Sequence, residues 1–441
     1  MLRDGEAPMN ILMVTNTYLP HVGGVAQSVA RFSEAYRAAG HEVLVVAPEF
    51  AGRPAHEENV VRVPALQNFN GSDFSVSLPV PGALGRTLAG FGPAIVHTHH
   101  PFLLGDTALR IAAQYQRPLV FTHHTMYEQY THYVPVQAPK LAEYVKALTT
   151  HYANSCDHVL APSAHVKRIL EQRGVQTPMT VAPTGIDVNK FRTGDGAAFR
   201  REHGIPADAL LAGHVGRLAP EKNLTLLAQA IARFLRDDTQ RRFLVVGAGP
   251  SEASMREILK GAGVAGRAHF AGRQEGRALA GAYQAMDVFV FASKSETQGM
   301  VLVEALSTGV PVVALDVPPV DEIITDTRNG RLVADETPEA FAQVLCEWAE
   351  LPPEARENLS AQARADAAAF DINRCAEQAL AVYAAVLQAH TGCPDYNENA
   401  WSRLWRLISE EWTLWSSRVS AAAEVWGGDQ STGGGPSGET Q

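Results

Sequence analysis

Short runs of consecutive apolar residues alternate with segments of helical periodicity through the first half of the chain. Between the first two runs, Val25, Val29, Phe32 and Tyr36 are spaced so that a helix places them on one face. Strands that are apolar throughout and are joined by helices are typical of parallel sheets covered on both sides. The predicted strands lie at residues 9–16, 42–48, 94–99, 118–123, 158–163 and 179–183. This pattern predicts a doubly wound, Rossmann-like domain.

The alternation begins again near residue 210 and predicts a second domain of the same α/β class. Its strands are expected at residues 210–216, 242–249, 268–272, 288–293 and 311–315. Helical patterns lie between them, at about 223–236, 251–261, 276–286 and 299–308. Pro, Gly and Asp cluster at 184–208, which is the expected linker. Two such domains usually bind ligands at the carboxyl ends of their strands and in the cleft between them.

Length, charge and cysteine usage narrow the class of protein. At 441 residues the chain is too long for a single core, which fits two domains. The net charge of −10 argues against binding nucleic acid through its phosphates. The four cysteines form no Cys-x-x-Cys pair, as is typical of a reducing compartment. The sequence contains neither a signal-peptide pattern nor an apolar run of roughly 18 residues, so we expect a cytoplasmic protein.

One strand–helix junction, from Ser295 to Leu306, carries the most chemistry. Gly299 opens the helix and lets a ligand approach the backbone, whose free N–H groups favour an anion such as a diphosphate. Glu296 lies in the loop, where its carboxylate can accept hydrogen bonds from sugar hydroxyls. Glu304 lies inside the helix, where a carboxylate needs a partner. The alternative is a surface acid in the loop and a structural acid in the helix.

The spacing of Glu296 and Glu304 matches an E-x7-E pattern, and on this motif the chain resembles the retaining glycosyltransferases with the GT-B fold, of the glycosyltransferase family 4 type. Further matches are Gly23-Gly24, PTGID at 183–187 and GRLAPEKN at 216–223. The resemblance covers about residues 9–390. It implies two Rossmann-like domains facing a cleft, a C-terminal helical extension, a nucleotide sugar as co-substrate and no separate cofactor.

The resemblance also implies roles for individual residues. Arg217 and Lys222 would hold the donor's diphosphate, and a guanidinium and an ammonium suit the charge that accumulates on a leaving nucleotide. Glu304 would accept hydrogen bonds from the ribose hydroxyls, and Glu296 from the donor sugar. The full donor-binding set comprises Gly23, Gly24, Arg217, Lys222, Glu296, Gly299, Met300, Val301 and Glu304. The alternative for Arg217 and Lys222 is solvated surface charge.

Two histidine clusters, at residues 97–100 and 122–125, end neighbouring predicted strands. Three interpretations are open: imidazoles bonded to the backbone, a metal site of the His-x-His kind, or a role at the reaction centre. In the family, the histidine of a His-Thr pair lies beside the transferred sugar, and His124 with Thr125 fits that pattern. No Asp-x-Asp motif is present in the sequence, and we expect no metal. The catalytic residues that the resemblance implies are His124, Glu296, Arg217 and Lys222.

Segments 123–135 and 295–299 most resemble those of bacterial diacylglycerol glucosyltransferases. That resemblance implies transfer of glucose from UDP-glucose to 1,2-diacylglycerol, with peripheral contact to the inner face of the cell membrane. The aromatic residues within 126–134 suit a boundary with acyl chains, and packing over the domain core is nearly as good an interpretation. The expected acceptor contacts are His124, Thr125, Tyr127 and Tyr130. The alternatives are a glycosyltransferase with a soluble acceptor, a metallohydrolase built on the histidines, and a non-enzymatic module that binds sugar nucleotides.

These features divide the chain into five predicted segments. They are an acceptor-binding domain (9–186), a donor domain (187–371), a helix crossing back to the first domain (372–390), a Trp-rich amphipathic helix (391–426) and a disordered tail (427–441). Tryptophans recur at helical spacing in the fourth segment, which suits either a membrane interface or docking on protein. Its polar face mixes arginines with acids, so it lacks the basic bias that anionic lipids favour.

Overall fold

The computed structural model describes residues 7–390, except 22, 55, 67–75, 78–82 and 130–139. Packing divides the chain into two compact units. Among the described residues, the first unit holds those up to Pro162, Val166–Ala182 and residues 378–390, and the second holds Ser163–His165 and Pro183–Glu377. The predicted segments 391–426 and 427–441 lie outside the described residues.

The first unit is built on a parallel sheet of seven strands in the order β3-β2-β1-β6-β7-β8-β9. Its strands are β1 Asn10–Val14, β2 Glu42–Pro48, β3 Val60–Val63, β6 Ile95–Thr98, β7 Leu119–Thr122, β8 His158–Ala161 and β9 Met179–Val181, and a separate antiparallel pair is formed by β4 Ala65–Leu66 and β5 Val76–Ser77. The helices are α1 Gly24–Ala38, α2 Ala83–Phe91, α3 Leu104–Tyr115, α4 Leu141–Asn154 and α5 Ala164–Gln172. The strand order reverses between β1 and β6, which is the topological switch point of a doubly wound sheet.

The second unit has a parallel sheet of six strands in the order β12-β11-β10-β13-β14-β15. The strands are β10 Leu210–Val215, β11 Arg241–Val246, β12 Ala268–Gly272, β13 Val288–Phe291, β14 Val312–Leu315 and β15 Gly330–Val333. The helices are α6 Val188–Arg192, α7 Gly196–Glu202, α8 Leu224–Asp237, α9 Glu252–Gly261, α10 Gly276–Ala285, α11 Met300–Ser307, α12 Pro338–Ala349 and α13 Pro353–Ala367. The expected fold class, two Rossmann-like parallel-sheet units, is confirmed.

Burial on both faces of the second sheet explains why its central strand β13 is apolar throughout. Along β13, Phe289 and Phe291 pack into one core, while Val288 and Val290 pack into the core on the opposite face. Successive side chains of a strand point to opposite faces. A central strand covered by helices on both sides therefore has no polar position to signal its period, and only the length of the run marks it as a strand.

The predicted linker at 184–208 is instead part of the second unit. It contains α6 and α7, and Phe191 and Phe199 of these helices are buried in the core. Two of the aspartates that suggested a turn-rich linker are N-caps. Asp187 accepts from the N–H groups of residues 189 and 190, and Asp195 accepts from that of residue 198.

A last helix, α14 Ile372–Ala389, begins among the residues of the second unit and ends among those of the first. It coincides closely with the predicted segment 372–390. No helix in the described part of the chain is long and apolar enough to cross a membrane.

Candidate active site

In the second unit, the start of α11 has the backbone that an anion site requires. Gly299 caps the helix with φ of +78°, a left-handed conformation that L side chains rarely adopt. A Cβ at this position would also lie only 3.1 Å from Cδ1 of Leu302. The first N–H groups of a helix have no acceptor within the helix, so those of Met300 and Val301 give this end a partial positive charge.

Lys222 and Glu296, predicted from separate motifs, form an ion pair. Nζ of Lys222 donates to Oε1 of Glu296 at 2.6 Å, and the two side chains are only 18% and 15% exposed. Burial alone raises the pKa of Glu296, but the charge and hydrogen bond of Lys222 outweigh it, so the net pKa lies below its ordinary value. The carboxylate is therefore ionised at neutral pH and can accept hydrogen bonds from hydroxyl groups.

Arg217 lies on the same loop as Lys222 and pairs with Glu221 four residues on. Its side chain is 45% exposed, against 11% for that of Glu221. The hydroxyl of Ser295 donates to the carbonyl of Glu221 at 3.1 Å, which ties this loop to the one that carries Glu296. The two predicted cations therefore lie on one short turn, each beside a carboxylate.

Gln298 has a structural role that the sequence analysis did not identify. Its Oε1 accepts from the N–H of Thr184 at 2.8 Å, and its Nε2 donates to the carbonyl of Thr184 at 3.0 Å. The side chain is buried. This amide pair joins the PTGID segment to the loop before α11, two motifs more than one hundred residues apart. The only indication of this contact in the sequence is that both motifs match the same family.

Glu304 is buried inside α11, and its Oε2 accepts from the hydroxyl of Tyr283 on α10 at 3.0 Å. That hydroxyl is the kind of partner that a carboxylate within a helix was expected to need.

The glycine-rich turn at Gly247 packs tightly against the loop that leads to Arg217. A Cβ on Gly247 would lie 1.9 Å from the carbonyl oxygen of Gly216. This turn therefore has a packing role.

In the first unit, the two histidine clusters meet at the carboxyl ends of β6 and β7, which are neighbours in the sheet. Nδ1 of His99 and Nε2 of His124 are 2.9 Å apart and share a hydrogen bond. The rings of His97 and His99 are in contact, with centroids 4.1 Å apart. His97 in turn bonds through Nε2 to the hydroxyl of Thr122 at 2.7 Å and through Nδ1 to that of Tyr383 on α14 at 2.5 Å.

Burial keeps these imidazoles neutral. It lowers the pKa of His97 and of His100 to about 3 and that of His123 to about 4. For His99 and His124, burial and then repulsion by neighbouring histidines also lower the pKa well below the ordinary value. Neutral His124 can accept or donate one hydrogen bond at each nitrogen, but it is not a cation at neutral pH.

The histidines do not form a metal site in this arrangement. Across the described residues, no three His, Cys, Asp or Glu side chains are placed so that they could hold a metal ion. His100 is tied to the segment that follows β1, since its Nδ1 accepts from the N–H of Asn16 at 3.1 Å. Neither ring nitrogen of the buried His123 has a hydrogen-bond partner in the described structure.

Where it is described, the aromatic segment after β7 packs over the core of the first unit, which was the second of the two interpretations. Met126 is buried in the core, and the ring of Tyr127 packs edge-on against that of Phe102 at 4.9 Å. Burial raises the pKa of the Tyr127 hydroxyl, while a hydrogen bond with Thr125 lowers it in part. Tyr130 lies outside the described residues.

Gly23 and Gly24 lie where the chain enters α1. Gly23 has extended backbone at the N-cap, and a Cβ there would lie 3.0 Å from Nε2 of His21. A Cβ on Gly24 would meet no atom within 4 Å. The structure thus leaves space beside Gly24, as the predicted approach of a ligand requires.

The turn between β6 and α3 contains a strained residue that the sequence analysis also missed. Leu103 has φ of +57° and ψ of −103°, a combination that costs a non-glycine residue roughly 1–3 kcal/mol. Asn16 holds this conformation. Its Nδ2 donates to the carbonyl of Phe102 and its Oδ1 accepts from the N–H of Leu104, both at 3.0 Å.

Comparison with known proteins identifies the family to which the chain is similar. Residues 22–190 match the model of Glycosyltransferase Family 4, and residues 195–366 match that of Glycosyl transferases group 1. The chain is 32% identical over 331 residues to a GDP-mannose-dependent alpha-mannosyltransferase of Mycolicibacterium smegmatis, covering 74% of this chain and 84% of the relative. It is 28% identical over 337 residues to an alpha-monoglucosyldiacylglycerol synthase of Streptococcus pneumoniae, covering 74% and 75% of the two chains.

The fold is shared with solved structures of lower sequence identity. The crystal structure of Anabaena HepE in complex with UDP and glucose superposes with a TM-score of 0.66 at 21% identity, over 85% of this chain and 99% of that one. This likeness extends across both sheets, which agrees with the GT-B architecture expected from the motifs.

Proposed function

Because this chain belongs to the glycosyltransferase family defined by the two matching models, we propose that it is a retaining enzyme that transfers glucose from UDP-glucose to 1,2-diacylglycerol. The observation that carries the donor half of this proposal is the Lys222–Glu296 ion pair of 2.6 Å in the loop before α11. It sets a cation for a diphosphate beside an acid for sugar hydroxyls. Relatives named as monoglucosyldiacylglycerol synthases support the lipid acceptor.

In this proposal, the donor's diphosphate lies against Lys222, Arg217 and the N–H groups that follow Gly299. These groups stabilise the negative charge that grows on the leaving nucleotide as its bond to the sugar breaks. Glu296 keeps a low pKa while Lys222 is near, so it remains an acceptor for the sugar's hydroxyls. Glu304, oriented by Tyr283, accepts from the ribose hydroxyls of the donor.

Retention follows if the acceptor hydroxyl attacks from the face that the nucleotide leaves. The departing phosphate oxygen then takes the acceptor's proton, and no protein base is needed. Neutral His124, held by its hydrogen bond to His99, contacts the sugar without placing a positive charge beside an oxocarbenium-like centre. Peripheral membrane contact follows from the acceptor, since diacylglycerol resides in the bilayer.

The experiment is a matrix of donors and acceptors with mass and anomeric analysis of the products. UDP-glucose, GDP-mannose and UDP-N-acetylglucosamine are each incubated with diacylglycerol vesicles, inositol phosphate and glycerol. We expect an α-linked glucosyldiacylglycerol from UDP-glucose alone. A β-linked product would contradict retention, and full activity on a water-soluble acceptor without vesicle binding would support the soluble-acceptor alternative.

A Glu296→Gln variant separates an enzyme from a module that only binds sugar nucleotides. We expect loss of turnover with UDP affinity within a few-fold of wild type, because the carboxylate acts on the sugar. A wild-type protein that binds UDP-glucose and transfers nothing to any acceptor would instead support the binding module.

A further inference from the structure

The turn between β6 and α3 holds an apolar side chain toward solvent at the expense of backbone strain. Leu103 is 38% exposed, more than any other large apolar side chain in the described residues. Its φ of +57° suits glycine, not leucine. A leucine that is neither relaxed nor buried adds little to folding, and such outliers cluster at functional sites.

The strain is imposed by its neighbours on both sides. Asn16 is buried and binds the carbonyl before Leu103 and the N–H after it, both at 3.0 Å. The backbone N–H of Asn16 is in turn fixed by Nδ1 of His100 at 3.1 Å. The exposed position of the leucine is therefore a built feature of this turn.

The same turn adjoins the candidate acceptor residues. It begins directly after His99, which bonds to His124. Phe102 packs against Tyr127, from the predicted acceptor segment, at 4.9 Å. The side chain of Leu103 thus extends from the short turn that also supports these two predicted acceptor contacts.

Building on the proposed function, we propose that Leu103 is a specificity-determining residue that contacts the acyl chains of the lipid acceptor. An apolar side chain kept out of the core gains its stabilisation when an apolar ligand covers it. In this role, Leu103 distinguishes lipid acceptors by the length of their acyl chains. It does not contact the reacting hydroxyl, so its substitution changes the KM for the acceptor.

The test is Leu103→Gly, which removes the side chain and relieves the strain. We expect the melting temperature to rise by a few degrees. We expect kcat/KM for a long-chain diacylglycerol in mixed micelles to fall about tenfold, because a partly buried leucine contact is lost. The value for a short-chain diacylglycerol should change less than twofold. Leu103→Met, which keeps an apolar side chain, should retain long-chain activity.

Gln116→Gly is the matched control, because Gln116 ends the same helix with φ of +50°. It should raise the melting temperature similarly and leave both acceptors unaffected. Wild-type activity of Leu103→Gly on the long chain, or an equal loss on both chain lengths, would overturn the inference while leaving the proposed function intact. A wild-type protein that glycosylates neither diacylglycerol would overturn the proposed function, and this inference with it.

Discussion

A single carboxylate, Glu296, depends chiefly on one neighbour for its low pKa. The ammonium of Lys222 is the largest of the influences that offset burial, which by itself raises the pKa of this acid. The pair is mostly shielded from water, so its members depend on each other more than the partners of an exposed ion pair do.

Lys222→Met should therefore destabilise the protein by about 1–3 kcal/mol at pH 7, because it leaves a buried carboxylate without its cation. Adding Glu296→Gln to Lys222→Met should recover most of the lost stability. The single variant and this double variant should both be inactive. Arg217→Met is the control, since its exposed ion pair contributes at most about 1 kcal/mol. Urea unfolding measures the stability of each variant, and turnover measures its activity. Transfer at wild-type rate in both the Arg217 and the Lys222 variants would contradict a diphosphate site here.

Buried neutral histidine makes the first unit sensitive to acid. The pKa of His123 is about 4 when folded and near 6.5 when unfolded. Between these values the unfolded chain binds the extra proton, so stability falls as pH drops below about 6.5 and the loss is complete below about 4. The pKa values of His97, His100 and, in the second unit, His214 are also lowered by burial, so their protonation destabilises the protein at low pH in the same way.

His123→Phe tests this linkage, since neither ring nitrogen of His123 has a hydrogen-bond partner in the described structure. Stability near pH 7 should change little. At pH 4.5 the variant should be more stable than wild type by up to about 2 kcal/mol, because one proton uptake is removed. Chemical denaturation across pH 4.5–7.5 provides the comparison. Parallel pH profiles for the two proteins would contradict the assigned burial of a neutral imidazole.

Among the elements, those buried on both sides were the most predictable. The runs around β1, β2, β10 and β13 are almost entirely apolar, and the structure has a strand in each. Two edge strands, β3 and β15, were missed because an arginine interrupts each run. Arg62 of β3 is itself buried and forms an ion pair with Glu57 at 2.5 Å, so a charge in the sequence conceals a packed strand.

The candidate site was predictable as motifs but not as contacts. Glycines and charged residues at the strand–helix junctions indicated where the candidate site residues lie. The pairing of β6 with β7 followed from the order of strands expected in a parallel sheet. Gln298 and Asn16 were not predictable, since each acts by bonding backbone groups far away in the sequence. Such contacts carry no local periodicity or spacing, because one side-chain amide serves many arrangements.

Gln298→Leu should loosen the loop before α11, because it removes two buried hydrogen bonds to Thr184 at similar side-chain volume. We expect a loss of about 2–4 kcal/mol in unfolding free energy and a higher KM for the donor. Gln343→Leu, on the exposed face of α12, is the matched control and should stay within about 0.5 kcal/mol of wild type. Equal stability of the two variants would show that the amide pair is not structural.

At the scale of the whole molecule, the last described helix contributes to the interior of the first unit. The hydroxyl of Tyr383 lies 2.5 Å from Nδ1 of His97 and 3.3 Å from the hydroxyl of Tyr36. Tyr383→Phe should lower unfolding free energy by about 1–3 kcal/mol, since Nδ1 of a buried imidazole loses this bond. Tyr36→Phe leaves that bond in place and should cost less. A larger effect of Tyr36→Phe in thermal unfolding would contradict this assignment.

The division of the first unit among three stretches of chain sets an order for assembly at the ribosome. The second unit contains no described residue beyond Glu377, whereas the first unit lacks its final segment until synthesis passes residue 378. Until Tyr383 leaves the exit tunnel, Nδ1 of His97 in the newly made amino-terminal half lacks its hydrogen bond to the Tyr383 hydroxyl. The half of the protein that is translated first is thus the last to be finished.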